Sequence, residues 1–191
     1  MSKGLKTALI VGGVILFLGA WLVSWGLGRY NGVIAMDESV KGQWAQVENQ
    51  LKRRYDLIPN LVETVKGYAS HESGVFTAIA EARTKYFAAQ SVGDKVAASK
   101  GLEGALSRLL MLQENYPQLK ANENFLKLQD SLEGTENRIA VERMRYNEAV
   151  RGYNIYTRRF PNSIVAGIFG FTRAPLFEAP EEAKQPPKVK F

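Results

Sequence analysis

Cysteine is absent from the 191-residue chain, which excludes thiol nucleophiles, thiolate metal sites, disulfides and an acylated lipoprotein cysteine. Histidine is nearly absent: His71 stands alone. Glu72 follows it, but Val75 occupies the position where a zinc-protease helix needs its second histidine. A serine hydrolase triad would have to use His71 as its base, and no Gly-x-Ser-x-Gly elbow follows a strand pattern anywhere. His71 therefore reads as a solvent-exposed helix residue. The glycines at 12, 13, 19, 26 and 28 lie in an apolar run with no strand before them, so no phosphate-binding loop is visible. Runs of alternating β-branched residues bounded by turn dipeptides are missing as well, which argues against strands. No catalytic residue, cofactor or metal ligand is expected, and the chain does not read as an enzyme.

What charge there is carries little direction. Twenty-five Lys and Arg against nineteen Asp and Glu give a net charge of +6, a mild and dispersed excess that favours anionic surfaces such as lipid headgroups. Nucleic acid is not expected as a partner. Tyr116, Phe125, Tyr146, Tyr153, Tyr156 and Phe160 fall at helical intervals and read as bundle core rather than as a stacking platform for bases.

The strongest single feature is the stretch from Thr7 to Gly28, which holds no charged residue. It is near the ~20 residues a helix needs to span a bilayer. Lys3 and Lys6 mark one end, and Trp21, Trp25, Arg29 and Tyr30 cluster at the other, where amphipathic rings and a snorkelling cation prefer the interface. A cleaved signal peptide is the competing reading, but its apolar core is usually ~7–15 residues long, and a small-x-small cleavage site is missing here. Retention as a single-pass anchor in the cell (inner) membrane is expected. Positive charge on both flanks leaves the side of the soluble part open. Gly12 and Gly19 are seven apart and do not form the four-residue helix-packing motif.

Beyond Arg29, apolar residues recur in steps of three and four: Val33, Met36, Val40, Trp44, Val47, Leu51, Ile58, Leu61, Val65 and Tyr68. That is the stripe of an amphipathic helix. Pro59 lies inside it and should kink or restart the helix. The pattern continues through His71 to about Gln90, and Ser91-Val92-Gly93-Asp94 supplies a turn. A second arm carries Leu102, Leu106, Leu109 and Leu112, is interrupted at Tyr116-Pro117, and resumes with Leu119, Phe125, Leu128 and Leu132. Glu133-Gly134-Thr135 is a candidate weak point, and a last stretch runs from Asn137 to Phe160 before Pro161. The fold class is all-α: an N-terminal transmembrane helix followed by an elongated antiparallel bundle of long helices. The expected division is an anchor at 1–29, a bundle at 30–162, an apolar bundle-end or membrane-contacting segment at 163–173, and a disordered Pro-rich tail at 174–191.

Lys52-Arg53-Arg54-Tyr55-Asp56 precedes Leu57-Ile58-Pro59-Asn60, placing charge beside a backbone irregularity. In one reading Arg53 and Arg54 pair with acids of a facing helix while Asn60 satisfies carbonyls freed by Pro59. In the other, Arg53, Arg54, Asp56 and Asn60 form a surface that grips a partner or a neighbouring subunit.

Several of these residues resemble the LemA family: Tyr30-Asn31, the run Arg53-Arg54-Tyr55-Asp56-Leu57-Ile58-Pro59-Asn60-Leu61-Val62, and Val65-Lys66-Gly67-Tyr68-Ala69. The likeness continues through His71-Glu72, Ala82-Arg83, Tyr116-Pro117-Gln118-Leu119-Lys120-Ala121-Asn122, Glu136-Asn137-Arg138-Ile139, Arg145-Tyr146-Asn147, Tyr153-Asn154 and Phe160-Pro161. It implies a short membrane anchor on an antiparallel bundle of long helices and adds no catalytic residue. LemA-like proteins carry no well-defined activity; one relative looks like a factor shaping magnetosome membrane invaginations, and others are encoded near membrane proteases. Where relatives carry an aromatic pair near the end, this chain reads Ala174-Pro175-Leu176-Phe177.

Three functions compete. The first is a membrane-anchored structural protein that self-associates into a homo-oligomer and organises or shapes the bilayer. The second is an adaptor whose bundle binds a membrane protease or another envelope protein. The third, a hydrolase, would need carboxylates such as Glu63 and Glu72 brought to distant partners inside the bundle.

Overall fold

The structure is a computed structural model and describes residues 3–177. It is all-α, with six helices and no strand among the described residues: α1 (Lys3–Lys66), α2 (Ser73–Ala88), α3 (Val92–Met111), α4 (Pro117–Lys120), α5 (Glu123–Arg158) and α6 (Asn162–Phe169), with a single 3-10 turn at Leu112–Glu114. The chain divides into two compact units. One contains the chain up to Gly42 with Glu148–Ala174, and the other contains Gln43–Asn147 with the chain from Pro175.

The second unit is a four-helix bundle. Along α1 the buried positions Val47 and Leu61 are joined at seven-residue spacing by Arg54, and Trp44, Leu51, Ile58 and Val65 repeat with the same interval. On α5, Phe125, Leu132, Ile139 and Tyr146 do likewise. A strict seven-residue repeat keeps one seam on the partner helix over many turns, where a 3.6-residue period alone would drift off it. The two helices run antiparallel: Trp44 meets Tyr146 edge-on at 5.5 Å between centroids, Arg54 meets Glu136, and Tyr68 just past α1 accepts a 2.9 Å hydrogen bond from Asn122 just before α5. Tyr55 packs on Tyr86 at 4.3 Å and Lys66 lies over Phe76 at 5.7 Å, so α2 runs back along α1. Leu102, Leu106 and Leu109 of α3 fill the interior, each contributing on the order of 1.5–3 kcal/mol relative to exposure.

Local chemistry sets the boundaries. Ser91 caps α3, its Oγ accepting from the Asp94 N–H at 3.1 Å and donating to Asp94 Oδ2 at 2.6 Å. The turn of the helical hairpin is therefore Ala89-Gln90-Ser91, and Val92-Gly93-Asp94 already belong to α3. Pro117 opens α4, and Asn122 Oδ1 accepts from the Phe125 N–H at 2.9 Å to start α5.

Four expectations differ from the structure. Pro59 does not restart α1, which is helical through Lys66. The proline is exposed, and the buried Ile58 and Leu61 on either side of it hold the helix continuous across the one backbone bond it lacks. The helix does not continue through His71: it ends at Lys66, a turn closes through the 2.9 Å bond from Ala69 N–H to Val65 O, and exposed His71 lies in the next turn, closed by the Glu72 N–H to Ala69 O bond at 3.1 Å. Glu133-Gly134-Thr135 breaks nothing, since α5 is continuous from Glu123 to Arg158. Phe160 is not core: it is 82% exposed, whereas Phe125, Tyr146 and Tyr153 are buried and Tyr116 and Tyr156 are half-buried.

In the first unit, the end of α5 returns beside α1. Tyr156 lies so close to Gly32 that a Cβ there would fall 2.2 Å from its hydroxyl oxygen, so glycine at 32 permits the approach. Gly170 takes the left-handed conformation (φ 74°) and the Phe171 N–H bonds to Ala166 O at 2.9 Å, closing α6.

Burial pushes the phenols of Tyr86 and Tyr146 up to about 12, with Glu48 adding to the effect at Tyr86. The unfolded phenol titrates near ~10. Above that pH the unfolded chain loses protons that the folded chain keeps, so stability falls from about pH 10 until the folded phenols titrate near about 12. Circular-dichroism melts should show a falling midpoint across this window and a shallower fall in Tyr146→Phe; a flat profile contradicts the burial of these phenols.

Candidate interaction surfaces

The four polar residues singled out on α1 separate into two groups. Arg54 faces the bundle, is mostly buried and pairs with Glu136 of α5. Arg143, one heptad further along α5, pairs with Glu103 of α3 and lies 3.9 Å from the second oxygen of Glu136. The four residues form a partly buried alternating network that ties α1, α3 and α5. Arg53, Asp56 and Asn60 are exposed and, at three- and four-residue spacing, share one solvent-facing side of α1. Among the described residues Arg53 and Asp56 form no ion pair. Asn60 does not cap the carbonyl freed by Pro59; its own carbonyl accepts the Thr64 hydroxyl at 2.8 Å.

The anchor residues lie on α1 where burial begins. Leu16 and Phe17 are exposed, as are Trp21 and Trp25, and the Arg29 guanidinium stacks 5.5 Å from the Trp25 ring. Tyr30 is the first of the cluster to pack on another element: its ring lies 4.5 Å from Phe169 and 6.1 Å from Phe171.

The sequence reading missed the residues that hold the chain after α6. In the first unit Asn154 makes a two-bond pair with the backbone of Ala174, donating to its carbonyl at 3.0 Å and accepting from its N–H at 3.0 Å, while the Tyr153 hydroxyl donates to Thr172 O at 3.0 Å. In the second unit Asn147 repeats the arrangement on Phe177 at 2.8 and 2.7 Å, and Tyr146 donates to Pro175 O at 2.9 Å. The Phe177 ring is buried, stacked 6.4 Å from Trp44 and covered by the Arg143 guanidinium at 4.3 Å. Ala174–Phe177 were expected to begin a disordered tail; instead they are held through their backbone, and 178–191 lie outside the described residues. The signal was the Tyr-Asn pair recurring seven residues later, at 146–147 and 153–154, which puts two identical amide and phenol pairs on one helix face.

An open cleft of about 860 Å³ runs between α2 and α3, floored by small residues including Ala82, Ala89, Gly101 and Gly104 and edged by Glu81 and Arg108. Among the described residues no group of three His, Asp or Glu side chains is gathered closely enough to hold a metal ion.

Together these features define a class: a helical protein in which α1 carries a segment long and apolar enough to cross a membrane and continues without a break into a bundle. The LemA family profile matches residues 43–191, and the chain belongs to the LemA family. It is similar to the magnetosome proteins MamQ 1 and MamQ 2 of Paramagnetospirillum magneticum, each 29% identical over 80% of this chain. It is also similar to the magnetosome protein MamQ of Magnetospirillum gryphiswaldense, 27% identical over 79%. The chain spans 65% of the length of these curated relatives.

Removing the Arg54 side chain leaves Glu136 without its closest cation. Arg54→Ala should lower stability by about 2–3 kcal/mol in urea unfolding, a partly buried pair costing less than a fully buried one, while Arg53→Ala stays within about 0.5 kcal/mol. Equal losses would mean that Arg54 is not the structural one. Asn147→Ala should release the segment after α6, seen as faster limited proteolysis between Thr172 and Phe177 with the helical signal unchanged; unaltered cleavage kinetics would show that the amide pair does not hold it.

Proposed function

We propose that this chain is a single-pass, non-catalytic structural protein of the cell (inner) membrane that self-associates into a homo-oligomer and organises or shapes the bilayer. The observation that carries the reading is α1: an apolar stretch with its side chains exposed passes, in one uninterrupted helix, into the seam of a bundle. The apolar stretch and the bundle's seam helix are thus parts of one continuous helical element. Phe87, Met111 and Met144 are exposed on the bundle at 54%, 60% and 61%, and the small-residue cleft between α2 and α3 admits close approach of another helix. The likeness to magnetosome proteins supports a membrane role.

A second reading, an adaptor for a membrane protease or another envelope protein, is favoured by the exposed Arg53, Asp56 and Asn60, a polar face left open beside the buried Arg54 network.

Mass photometry of the full chain in mild detergent discriminates. Self-association requires a uniform species several times the 21.3 kDa chain after the micelle is subtracted, persisting on dilution and weakened by Met111→Glu. A monomer at every concentration overturns the scaffold and moves the weight to the adaptor.

A further inference from the structure

We propose that α6 is a second membrane contact, an interfacial helix whose outer face enters the headgroup region of an anionic bilayer beside the base of the membrane-crossing segment. The proposal rests on the reading of α1 as membrane-spanning.

The first observation is the division of α6 into two faces. Asn162, Val165 and Ala166 are buried within the first unit, and Asn162 Nδ2 ties the helix back to Tyr156 O at 3.1 Å. Ile164 and Ile168, one turn apart, point outward at 53% and 72% exposure; Phe169 at the helix end is 58% exposed while its ring also meets Tyr30, and Phe160 before the helix is 82% exposed. A soluble surface rarely gathers four large apolar side chains on so short a segment. Packing within the first unit is met by Asn162, Val165 and Ala166, which leaves the exposure of Ile164, Ile168 and Phe160 unexplained.

The second observation fixes where that face lies. Phe169 packs on Tyr30 at 4.5 Å, and Tyr30 stands two residues past the uncharged stretch that ends at Gly28, with Arg29 between. The apolar face is thus continuous with the segment already read as lipid-facing, at the level where its Trp and Tyr rings sit.

The third is charge. Arg158 and Arg159 precede α6 and Arg173 follows it, all exposed, and Arg29 lies beside Trp25. No Asp or Glu occurs between Arg151 and Arg173. Three exposed arginines flanking the apolar helix, with Arg29 next to the Tyr30 that Phe169 packs on and no counter-charge from 151 to 173, match the phosphates of an anionic leaflet. Closing α6 with Gly170 and pinning Thr172 and Ala174 to Tyr153 and Asn154 keeps the face presented rather than folded away.

Absence of native cysteine makes the test direct. Full chains carrying one environment-sensitive fluorophore at Leu16→Cys, Ile164→Cys, Ile168→Cys or Asn60→Cys are reconstituted into phosphatidylcholine vesicles with or without phosphatidylglycerol. Lipids brominated in the upper acyl chain serve as quencher. In anionic vesicles emission at 164 and 168 should fall roughly twofold or more, as for a face set into the headgroup boundary, while Asn60 is unaffected. The joint variant Arg158→Gln, Arg159→Gln, Arg173→Gln should reduce quenching at 168 in anionic vesicles.

If Leu16 is quenched and Ile164 and Ile168 behave like Asn60, the α6 contact fails while the spanning segment stands. If Leu16 also escapes the quencher, the spanning reading fails and takes the proposal with it. Equal quenching in neutral and anionic vesicles, insensitive to the arginine substitutions, overturns the anionic-headgroup assignment.

Discussion

The structure depends on one seam between α1 and α5. Apolar residues every seven positions on each helix let two long elements stay in contact without drifting apart. A purely apolar seam would tolerate a slip of one heptad. Arg54 prevents it: it stands at a seam position and is met by Glu136, and sliding α5 by seven residues would set it against Arg143 or Gln129 instead. The polar network costs desolvation and in return defines register, the best-attested use of buried charge in helical assemblies. Glu103 then extends the same choice to α3, since it answers the second arginine.

Register at the seam has consequences along α5. Tyr146, Asn147, Tyr153 and Asn154 recur at the seam's own interval, so each pair presents a phenol donor and a planar amide to the chain after α6 in the same geometry. Because the amides bond to backbone N–H and C=O groups, the sequence of the held segment matters little. This explains how Ala174-Pro175-Leu176-Phe177 is accommodated where the family resemblance leads one to expect an aromatic pair. Only Phe177 adds side-chain specificity, through Trp44 and Arg143.

Much of this was legible beforehand. The uncharged stretch before Gly28, the three- and four-residue spacing of Val33 through Val65, and the hairpin near Ser91 each report a local property, and each corresponds to an element or its boundary. Local signals misled where packing outvoted them. Pro59 and Gly134 are helix breakers in isolation, yet each lies in a helix whose adjacent core positions, Ile58 and Leu61 or Leu132 and Thr135, are buried. Phe160 followed the periodicity of α5 but stands two residues past its last turn, where the period no longer points inward. Of the polar residues on α1, sequence reasoning found the right neighbourhood without dividing it, since Arg53 and Arg54 are chemically alike and differ only by the ~100° of helix rotation between neighbours.

The helical class, the single apolar helix and its flanking rings were decided by the sequence alone, because length, charge and periodicity act within one element and need no partner. Which arginine is buried, what Asn147 and Asn154 bond, and which face of α6 is left open were decided by the tertiary structure. Each of those depends on groups brought close from distant parts of the chain, and an amide or guanidinium acquires a role only when the atoms opposite it are in place.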